Sequence, residues 1–186
     1  NRKDMQYYNE AIYCYYLEDY EGAMRAAKQA LKLGSIKASY LLIELYYDED
    51  SPYRDVEKTI SYAKQLFEAT KDPELAFLLG IVYDQQLKDY VKAVNWYENA
   101  ERLGHKRVAF YLGRIYYYGL LRTKRDGGMA LSYFKKAREN GIQEAEGYIK
   151  DLEDLKGACS GGRKRVSGYQ DSHDEAETDF LHCNTI

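Results

Sequence analysis

The stretch Ala109-Phe110-Tyr111-Leu112-Gly113-Arg114-Ile115-Tyr116 decides the fold, together with the run from Asp126 to Gly141 that follows it. Its apolar residues recur at helical spacing, and two earlier stretches repeat the pattern from Ala76 to Tyr83 and from Ala38 to Tyr46. Gly80 and Gly113 stand four residues after their opening Ala, and Leu42 takes that slot in the earlier copy. A second helical run accompanies each. It carries Ala23, Ala30 and Gly34, then Ala93, Ala100 and Gly104, then Ala130, Ala137 and Gly141, always spaced 7 and then 4 apart. A degenerate copy holds Thr59, Leu66 and Thr70 in the same slots. The starts at 23, 59, 93 and 130 lie 36, 34 and 37 residues apart, so the chain reads as about four copies of a helix pair.

Physical chemistry accounts for the conserved spacing within the chain. Small residues seven apart share one helix face and let a second helix approach closely. Gly34, Gly104 and Gly141 fall where a left-handed helix end is wanted. Asp19, Asp89 and Asp126 precede the second runs, where a carboxylate accepts the unpaired N–H groups of a helix start. Pro52 and Pro73 fall between helical runs. No stretch alternates long enough to compete as a strand.

The fourth copy reads Leu112-Gly113-x-Ile115-Tyr116-x-x-Gly119, then Asp126, Ala130, Tyr133-Phe134-Lys135-Lys136-Ala137, Gly141 and Ala145. This resembles a Sel-one-like repeat (SLR), the slightly longer relative of the tetratricopeptide repeat. The third copy matches nearly as well, with Leu79-Gly80, Tyr83, Asp89, Ala93, Trp96-Tyr97, Ala100 and Gly104. The first two copies lack the Leu-Gly pair. The resemblance covers roughly residues 5 to 155. It implies an all-α, right-handed superhelical solenoid of about four antiparallel helix pairs, one that mediates protein–protein contacts, often as an adaptor.

Composition agrees and sets limits. The 186 residues are 45% hydrophobic and 31% charged, enough apolar content to exclude a wholly disordered chain. A formal charge of −3 gives no general attraction to nucleic acid or to an acidic membrane. No apolar run approaches the roughly 20 residues that span a bilayer. Three cysteines without regular spacing argue against a disulfide framework, and as unpaired thiols they lean towards a reducing, cytoplasmic setting. The chain starts at Asn1 rather than Met, as a processed product or an excised piece would. After Leu155 the character changes. Residues 156–168 hold four Gly and the run Arg163-Lys164-Arg165, and residues 171–179 hold five acids and no base. The expected division is a repeat domain over 1–155, closed by a half-repeat from Glu144 to Leu155, and a flexible polar tail over 156–186.

Tyrosine is the compositional oddity: 21, against five Phe and one Trp. The tetratricopeptide-like resemblance implies that the first helix of each pair lines a concave groove. In the fourth copy its groove-facing positions are Arg107, Phe110, Arg114, Tyr117 and Tyr118. The third copy places Phe77 and Asp84 there, and the second Tyr46 and Tyr47. Tyrosine suits such a surface, with large contact area, a polar tip and little side-chain entropy to lose. Arg107 and Arg114, about two helical turns apart, suit a carboxylate or phosphate. Aromatic residues at helical spacing also pack cores, and the sequence leaves both uses open.

Signals for catalysis and metals fail on inspection. Ser61-x-x-Lys64 and Ser132-x-x-Lys135 match the nucleophile motif of penicillin-recognising hydrolases, but no Ser-Asp-Asn or Lys-Thr-Gly accompanies them. With eight Ser and sixteen Lys, about one such match arises by chance. Asp48-x-Asp50 opens like a calcium loop, but Tyr53 and Thr59 stand where Gly and Glu are required. His105, His173 and His182 lack metal-ligand spacing. In the tail, Arg163 to Ser167 resembles a basophilic kinase site, and Cys183-Asn184-Thr185-Ile186 has the frame of a prenylation signal without its aliphatic pair. The sequence therefore points to a non-catalytic scaffold with no cofactor, binding a protein or peptide segment. The alternatives are a self-assembling structural module and a serine hydrolase.

Overall fold

The computed structural model describes the backbone of residues 2–122 and 125–162, and side chains as far as Ser160. Among these residues the chain is all-helical, with nine α-helices, one π-helical turn and no strand. It divides into two compact units, Asn1–Val82 and Tyr83–Ile186. In the N-terminal unit, α1 (Arg2–Tyr16), α2 (Tyr20–Lys32), α3 (Ile36–Tyr47), α4 (Val56–Thr70) and α5 (Pro73–Ile81) each pack on the next. A π-helical turn, Val82–Gln86, continues α5. In the C-terminal unit, α6 (Tyr90–Arg102), α7 (Val108–Tyr118), α8 (Gly127–Glu139) and α9 (Ala145–Gly162) do likewise.

One construction starts the second helix of every copy. Asp19, Asp55, Asp89 and Asp126 accept side-chain hydrogen bonds from the N–H groups of Gly22, Lys58, Lys92 and Met129, at 2.9, 3.0, 3.2 and 2.9 Å. Their carbonyls then accept the N–H of Ala23, Thr59, Ala93 and Ala130, each at 2.9 Å. Their own N–H groups donate back to the carbonyls of Cys14, Tyr46, Tyr83 and Tyr116, closing the loop before each helix. The degenerate copy keeps this geometry, and the Thr59 hydroxyl adds a bond to the Asp55 carbonyl.

The ends are equally regular. Gly34, Gly104 and Gly141 have φ of 87°, 86° and 88°, the left-handed conformation that an L side chain resists. The next residue's N–H reaches back to Ala30, Ala100 or Ala137. That closure explains the Ala-to-Gly spacing of four. In the degenerate copy Lys71 takes the left-handed position instead, at φ 52°. Pro73 is the first residue of α5, where its missing N–H costs nothing, and Asp72 caps that helix through the N–H of Glu74.

The small residues serve close packing. Ala23, Ala27, Ala30, Ala93, Ala100, Ala130 and Ala137 are all fully buried. In the C-terminal unit, Phe134 fills the space left by Gly113: a Cβ there would stand 2.8 Å from the Phe134 ring. Ala109, Ala130, Ala137, Ala145, Ile149 and Leu152 complete this core.

Two sequence expectations need adjustment. Helix α9 does not stop at Leu155 but runs on to Gly162, because the glycines there lower helix propensity without breaking the ladder. Cys14 is a free thiol, whereas Cys159 is disulfide-bonded. An odd, irregular cysteine count argues against a framework of bridges but not against one bridge. The tail motifs from Arg163 onward lie outside the described residues. Among the described residues no helix is long and apolar enough to cross a membrane.

Candidate functional site

The candidate groove residues fall in both units, and each set is best taken on its own. In the N-terminal unit Tyr46 is only 6% exposed, so it does not present a ring to a groove. It stacks on Tyr62 with centroids 5.5 Å apart, and the Lys58 ammonium lies over its ring at 5.4 Å. Its partnership matches that of Tyr116, which stacks on Tyr133 at 5.7 Å in the C-terminal unit. Tyr46 is thus a packing residue, in the class of Tyr83 and Tyr116. Tyr47 and Phe77 are half-buried on α3 and α5.

The C-terminal unit gathers the remaining residues more densely. Helix α7 carries Phe110, Arg114, Tyr117 and Tyr118 at spacings of three and four, which place them along one side of the helix. Arg107 precedes it and is exposed. Phe110 meets Phe134 and Tyr148 edge-on, at 5.8 and 5.9 Å. Tyr117 meets Tyr118 and Tyr148 edge-on, at 4.9 and 5.0 Å. Tyr148 itself stacks on buried Phe134 at 4.5 Å. These edge-to-face contacts fix the ring orientations rather than merely burying area.

Hydroxyls at the edge of this cluster find polar partners. Tyr117 donates to the Asp151 carboxylate of α9, and the Tyr118 and Tyr148 hydroxyls lie 3.2 Å apart. Asp84, in the π-helical turn, accepts the Tyr97 hydroxyl at 2.8 Å. Arg114 is half-buried, and its guanidinium favours the anionic forms of Tyr97 and Tyr148 against the effect of burial. Its Nε is buried with no hydrogen-bond partner. Tyr118 remains 45% exposed.

Sequence reasoning missed Tyr148 and Asp151, since Glu144 to Leu155 read only as a closing half-repeat. The signal was present: Tyr148 and Asp151 are three apart, hence on one helix face. It also missed the Tyr–Asp bonds as a class. Tyr15 donates to Asp48 at 2.7 Å and Tyr40 to Asp72 at 2.6 Å, both in the N-terminal unit. These bonds give a second use for the abundant tyrosine.

The same bonds make an alkaline test. The Asp151 bond, then burial, pushes the Tyr117 hydroxyl up to about 12, and burial beside Glu101 pushes Tyr133 up to about 12. Burial and their Asp partners raise Tyr15 and Tyr97 as well. The unfolded chain gives up these protons near the ordinary tyrosine value of about 10, before the folded chain does. Their contribution is therefore intact below about pH 10 and is lost as pH rises towards about 12. Urea midpoints measured across that window should fall, less steeply in Tyr117→Phe than in the native sequence. Equal slopes for the two would contradict the assignment.

Ser61 and Ser132 are both exposed on second helices, α4 and α8. Lys135, the expected activator of Ser132, lies 3.4 Å from Glu153 of α9. The Ser61 hydroxyl accepts from Gln65 at 3.5 Å.

With this geometry established, comparison with known proteins adds one relative. No family model matches the chain. It is similar to the ERAD-associated E3 ubiquitin-protein ligase component HRD3 of Candida glabrata, being 28% identical over 120 residues. The match covers 62% of this chain and spans only 14% of that protein's length.

Proposed function

We propose that this chain is a Sel-one-like repeat scaffold, without catalytic activity of its own, that binds a segment of another protein. The observation that carries the reading is the side of α7, where Arg107 and Tyr118 are exposed and Arg114 and Tyr117 are half-buried over a rigid aromatic bed. Rigid aromatic anchors with polar tips beside arginine are the composition of binding hot spots. Asp84 extends the proposed binding set within the same unit; Tyr47 and Phe77 are proposed separately for the N-terminal unit, and Tyr46 is left out. The recurrent Asp-capped starts at 19, 55, 89 and 126 support the repeat assignment. Similarity to a protein named as a component of a larger ligase assembly supports a contact-making role.

A photo-crosslinking amino acid placed at Tyr118, with another at exposed Lys64 as reference, tests the reading in the intact chain. The expected result is a discrete heterologous adduct at position 118 that Arg107→Glu weakens while circular dichroism is unchanged. Adducts equal at both positions, or only to a second copy of this chain, would sink it; the latter would favour self-assembly.

A further inference from the structure

We propose that the outward side of α1 docks a helix of a partner protein, one whose apolar stripe is flanked by lysine or arginine. This surface lies in the N-terminal unit and does not depend on the reading of α7.

Alignment within the chain shows what is unusual about α1. With buried Ala11 in the slot of Gly80 and Gly113, Glu10 and Tyr13 hold the positions of Leu79 and Val82 in the third copy and of Leu112 and Ile115 in the fourth. Those four residues are buried, each at 1% exposure or less. Tyr13, by contrast, is 66% exposed. Leu17, one turn further along the same stripe, is 62% exposed, and neighbouring Tyr16 79%. In every later copy the preceding helix packs on the first helix of the pair: α2 on α3, α4 on α5 and α6 on α7. The side left open on α1 is therefore of the kind that a helix covers elsewhere in the chain. A terminal helix of a repeat array ordinarily turns a polar side outward. Helix α9 does so, and its exposed side chains between Glu146 and Lys156 are all charged. Helix α1 instead presents two rings and a leucine.

Charge decides the chemistry of the occupant. Between Lys3 and Arg25 the chain has five acids and no base. Glu10 stands in the stripe itself, three residues before Tyr13. Burial, then Asp19 and Glu10, raise the Cys14 thiol, so both carboxylates bear on this part of α1, with Arg25 opposing them. Exposed Glu18 follows Leu17 directly and bears on the Tyr20 hydroxyl along with Asp48 and Asp50. Among the described residues Glu10, Glu18 and Glu21 make no ion pair. A helix laid over Tyr13 and Leu17 with a basic rim meets these carboxylates, and one with an acidic rim is repelled. The same charge turns the exposed rings away from an anionic bilayer.

The test uses fluorescence anisotropy of the full chain with synthetic helical peptides of about 18 residues, long enough to hold a helix. They share one leucine stripe and differ in its flanks, which are Lys in one peptide and Glu in another. A third keeps the Lys composition but scrambles the leucines off a common face. The Lys-flanked helix should bind at least about tenfold more tightly than either of the others. Tyr13→Ser with Leu17→Ser should remove about that factor, and Glu10→Lys with Glu18→Lys should reverse the ranking of the Lys and Glu peptides. All four positions are exposed, and unchanged thermal melting separates lost docking from lost fold. Tyr118→Ala should leave every affinity as it was; a loss there would place the binding on α7 and overturn the proposal. Equal binding of the scrambled peptide, or no binding of the Lys-flanked helix, would overturn it as well. Sedimentation showing self-association that Tyr13→Ser with Leu17→Ser abolishes would give the surface to a second copy of this chain instead.

Discussion

Phe134→Ala is expected to destabilise the C-terminal unit by about 3–5 kcal/mol. The ring is fully buried, stacks on Tyr148 at 4.5 Å, and is surrounded by Ala109, Ala130, Ala137 and Ala145. The alanines have no side chain to extend into the space, Gly113 has none at all, and Phe110, Tyr117 and Tyr148 each lose a ring contact when Phe134 is removed. Burial and the lost ring contacts together put the cost within the range for a lost aromatic. Against typical domain stabilities of about 5–15 kcal/mol, a change of this size separates a folded unit from a marginal one. Urea unfolding followed by far-ultraviolet circular dichroism measures it. A loss below about 1 kcal/mol would mean that Phe134 is not the keystone of this core.

Gly113→Ala produces the second large effect, by the opposite mechanism. Its new Cβ would stand 2.8, 2.9 and 3.1 Å from three atoms of the Phe134 ring, which is fully buried and stacked on Tyr148. Overpacking of this kind costs about 1–3 kcal/mol. The two positions are coupled, because a smaller residue at 134 relieves the clash. In Phe134→Leu, Gly113→Ala should therefore cost at least about 1 kcal/mol less than it does in the native sequence. Strict additivity in that double-mutant cycle would show that the contact between α7 and α8 is not the source of the effect.

These two residues also mark what could be read from the sequence. The Leu112-Gly113 pair and the Ala130 to Gly141 spacing were legible, because they answer to local requirements: a missing Cβ, a left-handed helix end, a carboxylate three residues before an N–H. Such requirements act within a few residues and leave a periodic trace. Helix α1 left too little to read. Its buried Ala11 stands three residues before Cys14, as Gly113 does before Tyr116, but Tyr7 and Glu10 occupy the slots of the opening Ala and the Leu. The π-helical turn was equally silent, since one widened turn at the end of a helix is too short to leave a period of its own.

The candidate site was legible only as a side of a helix. Sequence period placed Phe110, Arg114, Tyr117 and Tyr118 together, because residues three and four apart share a face. It had no means of separating Tyr46 from them. That difference depends on Tyr62, which lies on another helix and stacks over the ring. Nor does period reveal that Tyr117 spends its hydroxyl on Asp151, 34 residues away. Bonds of that length depend on how neighbouring helices are offset, which only the packed chain determines.

The loop-closing bonds lead to a separate consequence. Cys14 to Asp19, Tyr46 to Asp55, Tyr83 to Asp89 and Tyr116 to Asp126 are pinched at their base by the same backbone bond, yet the enclosed segments differ in length. The bond sets the neck of each loop whatever number of residues lies between its two ends. The array can therefore gain or lose residues in these four segments while every following helix starts in its own register. The length of a loop is thereby uncoupled from the start of the helix that follows it.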